Sequence, residues 1–261
     1  MNITKLNLVY FSAAGTTWKV INEIAKGTGI EKIKRYDLLL GQNEEVKLAD
    51  DELTIFAAPI YAGRVPEVAM EAIKKFKGNN SPAMCVLVYG NRGIDDALFE
   101  LCREVRIQGF IVASASAFIG QHSLFGKVGE NRPDKKDLEK AYDYGSSVMM
   151  WLDKQNTISS LPEIDIPGDY PYRRYGHVPF RPITNDSCNF CGICIEECPT
   201  GAINPDNPAD VDYDKCISCA HCITVCPQHA KSFGGEKYFE VAATFYEKNK
   251  KRQEPIIIER K

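Results

Sequence analysis

The segment Leu6-Asn7-Leu8-Val9-Tyr10-Phe11, continued by Ser12-Ala13-Ala14-Gly15-Thr16-Thr17, decides how the first half of this chain folds. Its first six residues form a short, mostly apolar run that is typical of a buried strand. The next six are small or carry hydroxyls, and a helical apolar stripe begins directly after them. This order predicts the first strand–turn–helix unit of a parallel α/β sheet.

The same alternation of apolar runs and amphipathic stretches continues through residues 1–154. Further strands are predicted at 32–39, 53–58, 84–89 and 110–118, and helices at 17–26, from Pro66 onward, at 95–105 and at 133–152. Gly27 is predicted to end the first helix. We therefore expect an α/β fold with a five-stranded parallel sheet and helices on both faces. Only the stretch 41–51 is too short for more than a loop or one helical turn.

Eight cysteines in the last third of the chain repeat one spacing at an offset of 28 residues. The two copies are Cys188-x2-Cys191-x2-Cys194-x3-Cys198-Pro199 and Cys216-x2-Cys219-x2-Cys222-x3-Cys226-Pro227. This spacing suits a [4Fe–4S] cubane, which needs four thiolates at the corners of a tetrahedron. A tight C-x2-C-x2-C loop supplies three of them, and the fourth approaches from elsewhere.

This spacing resembles the bacterial ferredoxin run, in which the last cysteine of each run binds the other cluster. The resemblance implies two [4Fe–4S] clusters in a small α+β domain, with pseudo-two-fold symmetry. One cluster is held by Cys188, Cys191, Cys194 and Cys226, and the other by Cys216, Cys219, Cys222 and Cys198. Zinc sites normally pair two CxxC or CxxH elements instead, and disulfides require an oxidising compartment.

Composition excludes several classes of function. The net charge is −3 and no basic patch is present, so we expect no nucleic-acid partner. No apolar run reaches the ~18 residues of a membrane span. The first residues lead straight into the folded pattern and do not resemble a secretory signal. We therefore expect a soluble, cytoplasmic protein. Because exposed [4Fe–4S] clusters tolerate oxygen poorly, we also expect a reducing, anaerobic cell.

The turn after the first strand has the features of a phosphate site. Amides at a helix N-terminus bind phosphate without a cation, and hydroxyls of Ser12, Thr16 and Thr17 add donors. No Walker lysine and no GxGxxG fingerprint is present, which excludes the usual triphosphate and dinucleotide sites. The pattern Leu8-Val9-Tyr10-Phe11-Ser12-x-x-Gly15-x-Thr17 resembles the flavodoxin signature, which binds the FMN phosphate.

That resemblance implies an FMN site at the carboxyl ends of the first and third strands. Tyr61 and Tyr89 are expected to border the isoalloxazine, and backbone amides of the neighbouring glycines to bond its polar edge. The implied FMN residues are Ser12, Ala13, Ala14, Gly15, Thr16, Thr17, Pro59, Ile60, Tyr61, Ala62, Gly63, Tyr89, Gly90, Asn91, Arg92 and Gly93. The loop 120–123 lies on the same side. Alternatively the scaffold binds no flavin, and the turn after the first strand only caps a helix.

Four segments follow from these patterns. They are a flavodoxin-like FMN domain at 1–154, a linker rich in proline and aromatic residues at 155–180, a 2[4Fe–4S] ferredoxin-like domain at 181–235, and a C-terminal helix and tail at 236–261. The linker is predicted to lie stiffly against the first domain. The tail Ile256-Ile257-Ile258 is too apolar to be loose, but the pattern gives it no place.

The whole chain resembles the flavodoxin–ferredoxin fusion proteins of anaerobic bacteria and archaea. This resemblance implies an electron-transfer protein that relays electrons between the clusters and FMN, with redox proteins as partners. We expect a carrier rather than a substrate-specific enzyme and assign no catalytic residue. Two alternatives are an FMN reductase of a small substrate, with His122 or Tyr61 as proton donor, and a ferredoxin on a flavin-free docking scaffold. A homodimer that pairs the clusters of one chain with the flavin of another is also possible.

Overall fold

The computed structural model describes residues 1–157, 164–176 and 178–259. Its strands and helices confirm the predicted alternation. In chain order they are β1 (Lys5–Tyr10), α1 (Thr16–Thr28), β2 (Ile33–Asp37), β3 (Val46–Lys47), β4 (Glu52–Pro59), α2 (Glu67–Ile73), β5 (Phe76–Lys77), β6 (Ser81–Tyr89), α3 (Ala97–Ile107), β7 (Phe110–Ile119), α4 (Lys135–Asp153), β8 (Ile183–Thr184), α5 (Ile193–Glu196), α6 (His221–Thr224), β9 (Lys231–Ser232), α7 (Glu236–Asn249) and β10 (Ile256–Glu259).

The main sheet has the strand order β10-β7-β6-β4-β1-β2. The pairs β1–β2, β1–β4, β4–β6 and β6–β7 are all parallel. Leaving out the C-terminal strand, this is the flavodoxin-like order, with its switch point between β1 and β4. The first domain is therefore a flavodoxin-like α/β fold.

The predicted sheet of five strands was one strand short. The C-terminal tail returns to the first domain and pairs antiparallel with β7, with Ile256 opposite Ala117 and Ile258 opposite Ala115. Without the tail, β7 would present an unpaired edge. The tail covers that edge, which accounts for its three consecutive isoleucines.

Apolar clusters lie on both faces of the sheet. On one face α1 and α4 pack through residues that include Val20, Ile24 and Tyr144. On the other face α2 and α3 pack through residues that include Ile73 and Leu101. The expected helices on both faces are thus confirmed. The stretch 41–51 contains only β3, which pairs with β5 in a separate two-stranded sheet.

The prediction that Gly27 ends the first helix was wrong. Helix α1 continues to Thr28 and is capped by Gly29 in the left-handed conformation, at φ 69°. Gly27 instead lies where α1 meets α4, since a Cβ there would be 2.0 Å from the carbonyl oxygen of Tyr142. Likewise, a Cβ on Gly145 would lie 2.1 Å from the carbonyl oxygen of Ile24. The two glycines therefore let the helix backbones approach closely.

Gly145→Ala is expected to destabilise the protein by up to about 2 kcal/mol, which is the upper cost of overpacking less the gain in helix propensity. Alanine improves helix propensity by about 1 kcal/mol, but its methyl group forces α1 and α4 apart, and overpacking of this kind costs about 1–3 kcal/mol or more. Urea unfolding without air measures the change. Asp143→Ala, at an exposed position of the same helix, serves as the control. Equal unfolding midpoints for the two variants would contradict the packing role.

The second domain is built on two similar halves. Three pairs of residues at an offset of 28 have positive φ: Phe190 and Ser218, Gly192 and Ala220, Gly201 and His229. Short helices α5 and α6 begin directly after the middle pair. The sequence repeat is therefore also a repeat of backbone conformation.

Helix α7 begins at Glu236, the first residue of the predicted C-terminal helix and tail, and lies over the loops at the carboxyl edge of the first domain. Its ring contacts include His122 with Phe245, at a centroid distance of 5.0 Å. Among the described residues, the helices are all too short or too polar to cross a membrane.

Candidate functional site

The eight cysteines of the second domain line two separate cavities. One cavity is lined by Cys188, Cys191, Cys194 and Cys226, and the other by Cys198, Cys216, Cys219 and Cys222. All eight are free thiols, and the part of the chain that the structure describes contains no disulfide. Each group joins three cysteines of one run to the trailing cysteine of the other, which is the grouping that the ferredoxin resemblance implies. Four free thiols per cavity form a donor set that fits a [4Fe–4S] cluster.

Backbone amides also reach the trailing cysteines in the same way in both halves. The amide of Ala202 donates to Cys198 Sγ at 3.3 Å, and the amide of Ala230 donates to Cys226 Sγ at 3.3 Å. Hydrogen bonds to ligand sulfurs tune the reduction potential of a cluster. Within the described ranges, no group of three or more His, Cys, Asp or Glu side chains is placed to hold a single metal ion.

A cavity of about 340 Å³ lies at the carboxyl edge of the main sheet. It brings together the turn after β1 and the loops after β4, β6 and β7. Of the residues predicted to bind FMN, the lining contains Ala13, Ala14, Thr16, Thr17, Pro59, Ile60, Tyr61, Ala62, Tyr89, Gly90 and Arg92. Its volume is in the range of ligand pockets, which is about 300–1,000 Å³.

The start of α1, which was predicted to bind phosphate, forms one end of this cavity. Gly15 is the N-cap at φ 77°, a conformation that favours glycine, and the first turn contains no acidic residue. Thr16 and Thr17 line the cavity, and the first four amides of a helix have no partner within it. The Ser12 hydroxyl instead accepts from the amide of Trp18 at 2.9 Å. It therefore supports the turn rather than lining the cavity.

Five predicted FMN residues, namely Ser12, Gly15, Gly63, Asn91 and Gly93, do not line this cavity. A Cβ on Gly63 would meet Asp95 and Arg173, on another side of the loop. The Asn91 side chain holds the C-terminal segment. It donates to the carbonyls of Asn249 and Lys251 at 2.7 and 2.9 Å and accepts from the amide of Gln253 at 3.1 Å.

The two arginines beside these loops have carboxylate partners. Arg64 binds Glu100 through two contacts, of 2.7 Å from Nε and 2.5 Å from Nη2. It does not line the cavity. Arg92 does line the cavity and is paired with Asp95. Of the two, only Arg92 brings a positive charge to the cavity wall.

The sequence did not reveal the residues that close this cavity. They come from the loop after β7, the linker, the second domain and α7, and include Leu124, Phe125, Val178, Phe180, Ile217, Ser218, Val241 and Phe245. The linker was predicted to pack against the first domain because of its prolines and aromatics. No periodic pattern in the sequence indicates that such distant segments meet at this cavity.

Ile217 and Ser218 lie between Cys216 and Cys219, so the loop of the second cysteine set forms part of the cavity wall. Ser218 Oγ donates to the carbonyl of Phe180 at 2.7 Å. His221 Nδ1 lies 2.7 Å from the carbonyl oxygen of Ala13, and its Nε2 lies 3.0 Å from Glu197 Oε2. The two candidate cofactor sites are therefore in direct contact.

His122 is a neutral, hydrogen-bonded side chain in the cavity wall. Its Nδ1 accepts from the amides of Leu124 and Phe125, at 3.2 and 3.1 Å. Burial, together with the charge of Arg92, lowers the pKa of His122 from 6.5 to about 4. Near neutral pH the imidazole therefore carries one proton, on Nε2. This geometry is that of a loop histidine whose hydrogen bonds are satisfied within the protein.

The lowered pKa of His122 predicts acid sensitivity. The unfolded chain takes up the proton below pH 6.5 while the folded chain resists it down to about pH 4. The free energy of unfolding should therefore fall as the pH decreases through that window. Urea unfolding of the wild type and of His122→Gln, between neutral pH and about pH 5, measures this loss. An equally steep loss in the variant would rule out His122 as its source.

A second, larger cavity of about 860 Å³ adjoins the first. Both cavities are lined by Tyr61, Ala62, Gly176, Val178 and Ile217. The second cavity also reaches Cys216 and residues of α2. Burial raises the pKa of Tyr61 well above 10.0, so its hydroxyl keeps its proton between the two cavities.

Comparison with known proteins agrees with the two-domain organisation. Residues 187–231 match the family model of the 4Fe-4S dicluster domain. No curated protein is significantly similar to the chain. The dicluster match and the flavodoxin-like strand order together assign the chain an electron-transfer role.

The similar solved structures include a flavodoxin, a flavodiiron core and an oxidoreductase. A flavodoxin from the domain Archaea is 13% identical over 57% of this chain and 99% of its own, with a TM-score of 0.39. The flavodiiron core of Flv1 from Synechocystis sp. PCC6803 is 17% identical over 59% and 37%, with a TM-score of 0.41. Rubredoxin oxygen:oxidoreductase from Desulfovibrio gigas is 13% identical over 57% and 36%, with a TM-score of 0.43. The match covers only about a third of the last two proteins.

Proposed function

We propose that the chain relays electrons between two [4Fe–4S] clusters and one FMN, and thereby links one-electron and two-electron redox partners. The observation that carries this proposal is the position of Ile217 and Ser218. These residues lie between Cys216 and Cys219. They also line the cavity of about 340 Å³ to which the turn after β1, here called the phosphate turn, contributes. A cluster held by that set would be adjacent to a flavin held in that cavity.

The residues present fit both groups. Thr16, Thr17 and the amides at the start of α1 would hold the FMN phosphate. Tyr61 and Tyr89 would border the ring, and the two sets of four cysteines would hold the clusters. When bound, FMN exchanges one or two electrons whereas each cluster exchanges one, and the protein supplies their position and environment.

The closing residues favour exchange within one chain. Linker residues Val178 and Phe180 and α7 residues Val241 and Phe245 cover the flavin cavity on sides that a free-standing flavodoxin-like domain would leave open. The cysteine loop in the wall belongs to the same chain. This argues against a head-to-tail dimer that joins the clusters of one chain to the flavin of another.

Cofactor content tests the proposal. Protein purified without air is expected to contain about eight iron, about eight sulfide and one FMN per chain, as two [4Fe–4S] clusters and one flavin require. Colorimetric iron and sulfide assays and acid release of flavin measure these quantities. A chain with its full iron content that neither contains nor takes up FMN would leave a ferredoxin on a docking scaffold.

The 860 Å³ cavity supports a second candidate function, reduction of a small molecule at the flavin. It adjoins the flavin cavity, and its own lining combines apolar and aromatic residues such as Val68 and Tyr175 with charged ones such as Glu67 and Lys75. Filling it by Val68→Trp should slow reoxidation of the reduced protein by a small quinone, whereas Leu138→Trp on α4 should not. Equal rates in both variants would exclude the cavity as a substrate site.

A further inference from the structure

His221 connects the two candidate cofactor sites through a single buried side chain. It is 7% exposed and lies between Cys219 and Cys222, in the wall of their cavity. Its ring spans from Ala13, in the turn after β1, to Glu197, directly before Cys198. Three of the four cysteines of that set therefore lie close in sequence to this contact: Cys219 and Cys222 flank His221, and Cys198 follows Glu197.

The contact with Ala13 acts on the phosphate turn. A carbonyl oxygen only accepts, so Nδ1 of His221 donates to it at 2.7 Å. This carbonyl and the amide N–H of Ala14 belong to one planar trans peptide and point in opposite directions. Fixing the carbonyl therefore fixes the direction of an amide in the turn that would bind the flavin phosphate.

The other end of the His221 ring depends on the cysteine set, because His221 and its partner Glu197 both lie next to cysteines of that set. Helix α6, which begins at His221, has only four residues, and so short a helix is not stable alone. Ligand binding is what orders such a loop, because the free energy of metal binding is used in folding the segment that holds the ligands. An ordered cysteine loop would present His221 to Ala13, and a disordered one would not.

We propose that His221 is a positioning residue that couples occupancy of the second cysteine set to the affinity of the phosphate turn for flavin. This inference rests on the proposed function, since it requires both cofactors. Thermodynamic linkage makes the coupling reciprocal. A bound cluster tightens FMN binding, and bound FMN protects the cluster against loss.

Two measurements on the cluster-loaded protein test the coupling. FMN affinity, from quenching of FMN fluorescence, should fall about tenfold in His221→Leu, within the about 5–150-fold range of typical coupling. His221→Asn offers an amide donor near the position of Nδ1 and should restore most of the affinity. At equilibrium, the chelator concentration that removes half of the iron should be about tenfold higher with FMN than without it in the wild type, and unchanged by FMN in His221→Leu.

His229→Asn is the matched control, because His229 is an exposed histidine of the same domain. It should match the wild type in both measurements. Equal FMN affinity in wild type and His221→Leu, at equal iron content, overturns the inference. If His221→Leu loses its iron, the wild type still tests the coupling, because an equilibrium chelator midpoint that FMN does not raise also overturns the inference. Failure of the wild type to bind FMN at all would instead refute the proposed function.

Discussion

Cys222→Ala is expected to lower the iron content from about eight to about four atoms per chain, because each [4Fe–4S] cluster depends on its own four thiolates. Cys222 lines the cavity of Cys198, Cys216 and Cys219, and removing one of four soft ligands leaves that cluster incomplete. The other cavity draws Cys226 from the same run but not Cys222. Its cluster should therefore remain.

Iron and sulfide assays on protein purified without air measure this effect, with circular dichroism to show that the chain still folds. Cys102→Ala is the control, since Cys102 is fully buried in α3 and far in sequence from both runs. It should keep all of its iron. Loss of all iron from a folded Cys222→Ala chain, or no loss, would contradict the grouping of the cysteines into two independent sets.

Ala14→Glu is expected to weaken FMN binding by about 100-fold or more. The carboxylate would enter the phosphate end of the cavity, where Ala14 is part of the lining. Two like charges about 4 Å apart repel by up to about 4 kcal/mol in a partly shielded site, and 100-fold in affinity corresponds to about 2.7 kcal/mol. The new side chain would also occupy the anion site at the start of α1.

Titration of the flavin-free protein with FMN measures the loss. Lys19→Glu is a strict control, because it changes the charge by two units on an exposed side of the same helix without entering the cavity. It should bind FMN nearly as well as the wild type. Equal weakening in both variants would mean that overall charge near α1, rather than the phosphate turn, governs the affinity.

The sequence predicted whatever depends on local pattern. Apolar runs alternating with helical stripes indicated the sheet and its flanking helices. The cysteine spacing indicated two sets whose members line two cavities in the structure. Gly15 and the hydroxyls after β1 indicated the turn that forms one end of the candidate flavin cavity.

Features that depend on distant contacts escaped the sequence. Gly27 has the signature of a helix end, but close packing of α1 on α4 keeps it inside the helix, and only the backbone of Tyr142 shows why. The pairing of Ile256 with Ala117 joins residues that are far apart in the sequence. Asn91 was assigned to flavin from its place in a loop, whereas its amide holds the segment that follows α7.

Dependence on distant contacts also explains why the sequence predicted only some of the residues that line the candidate flavin cavity. Val178 of the linker, Ile217 of the cysteine loop and Phe245 of α7 meet there only after both domains have folded. Each is an ordinary apolar residue in its own segment. Their convergence is the feature from which the relay is inferred.

Internal electron transfer is the measurement that tests the relay most directly. Protein loaded with both cofactors is reduced by a short light pulse with a one-electron photoreductant, and flavin and cluster absorbance are followed in time. We predict a phase in which electrons redistribute between flavin and clusters at a rate that does not depend on protein concentration, as transfer within one chain requires. A rate that rises in proportion to concentration, or no redistribution, would contradict the relay.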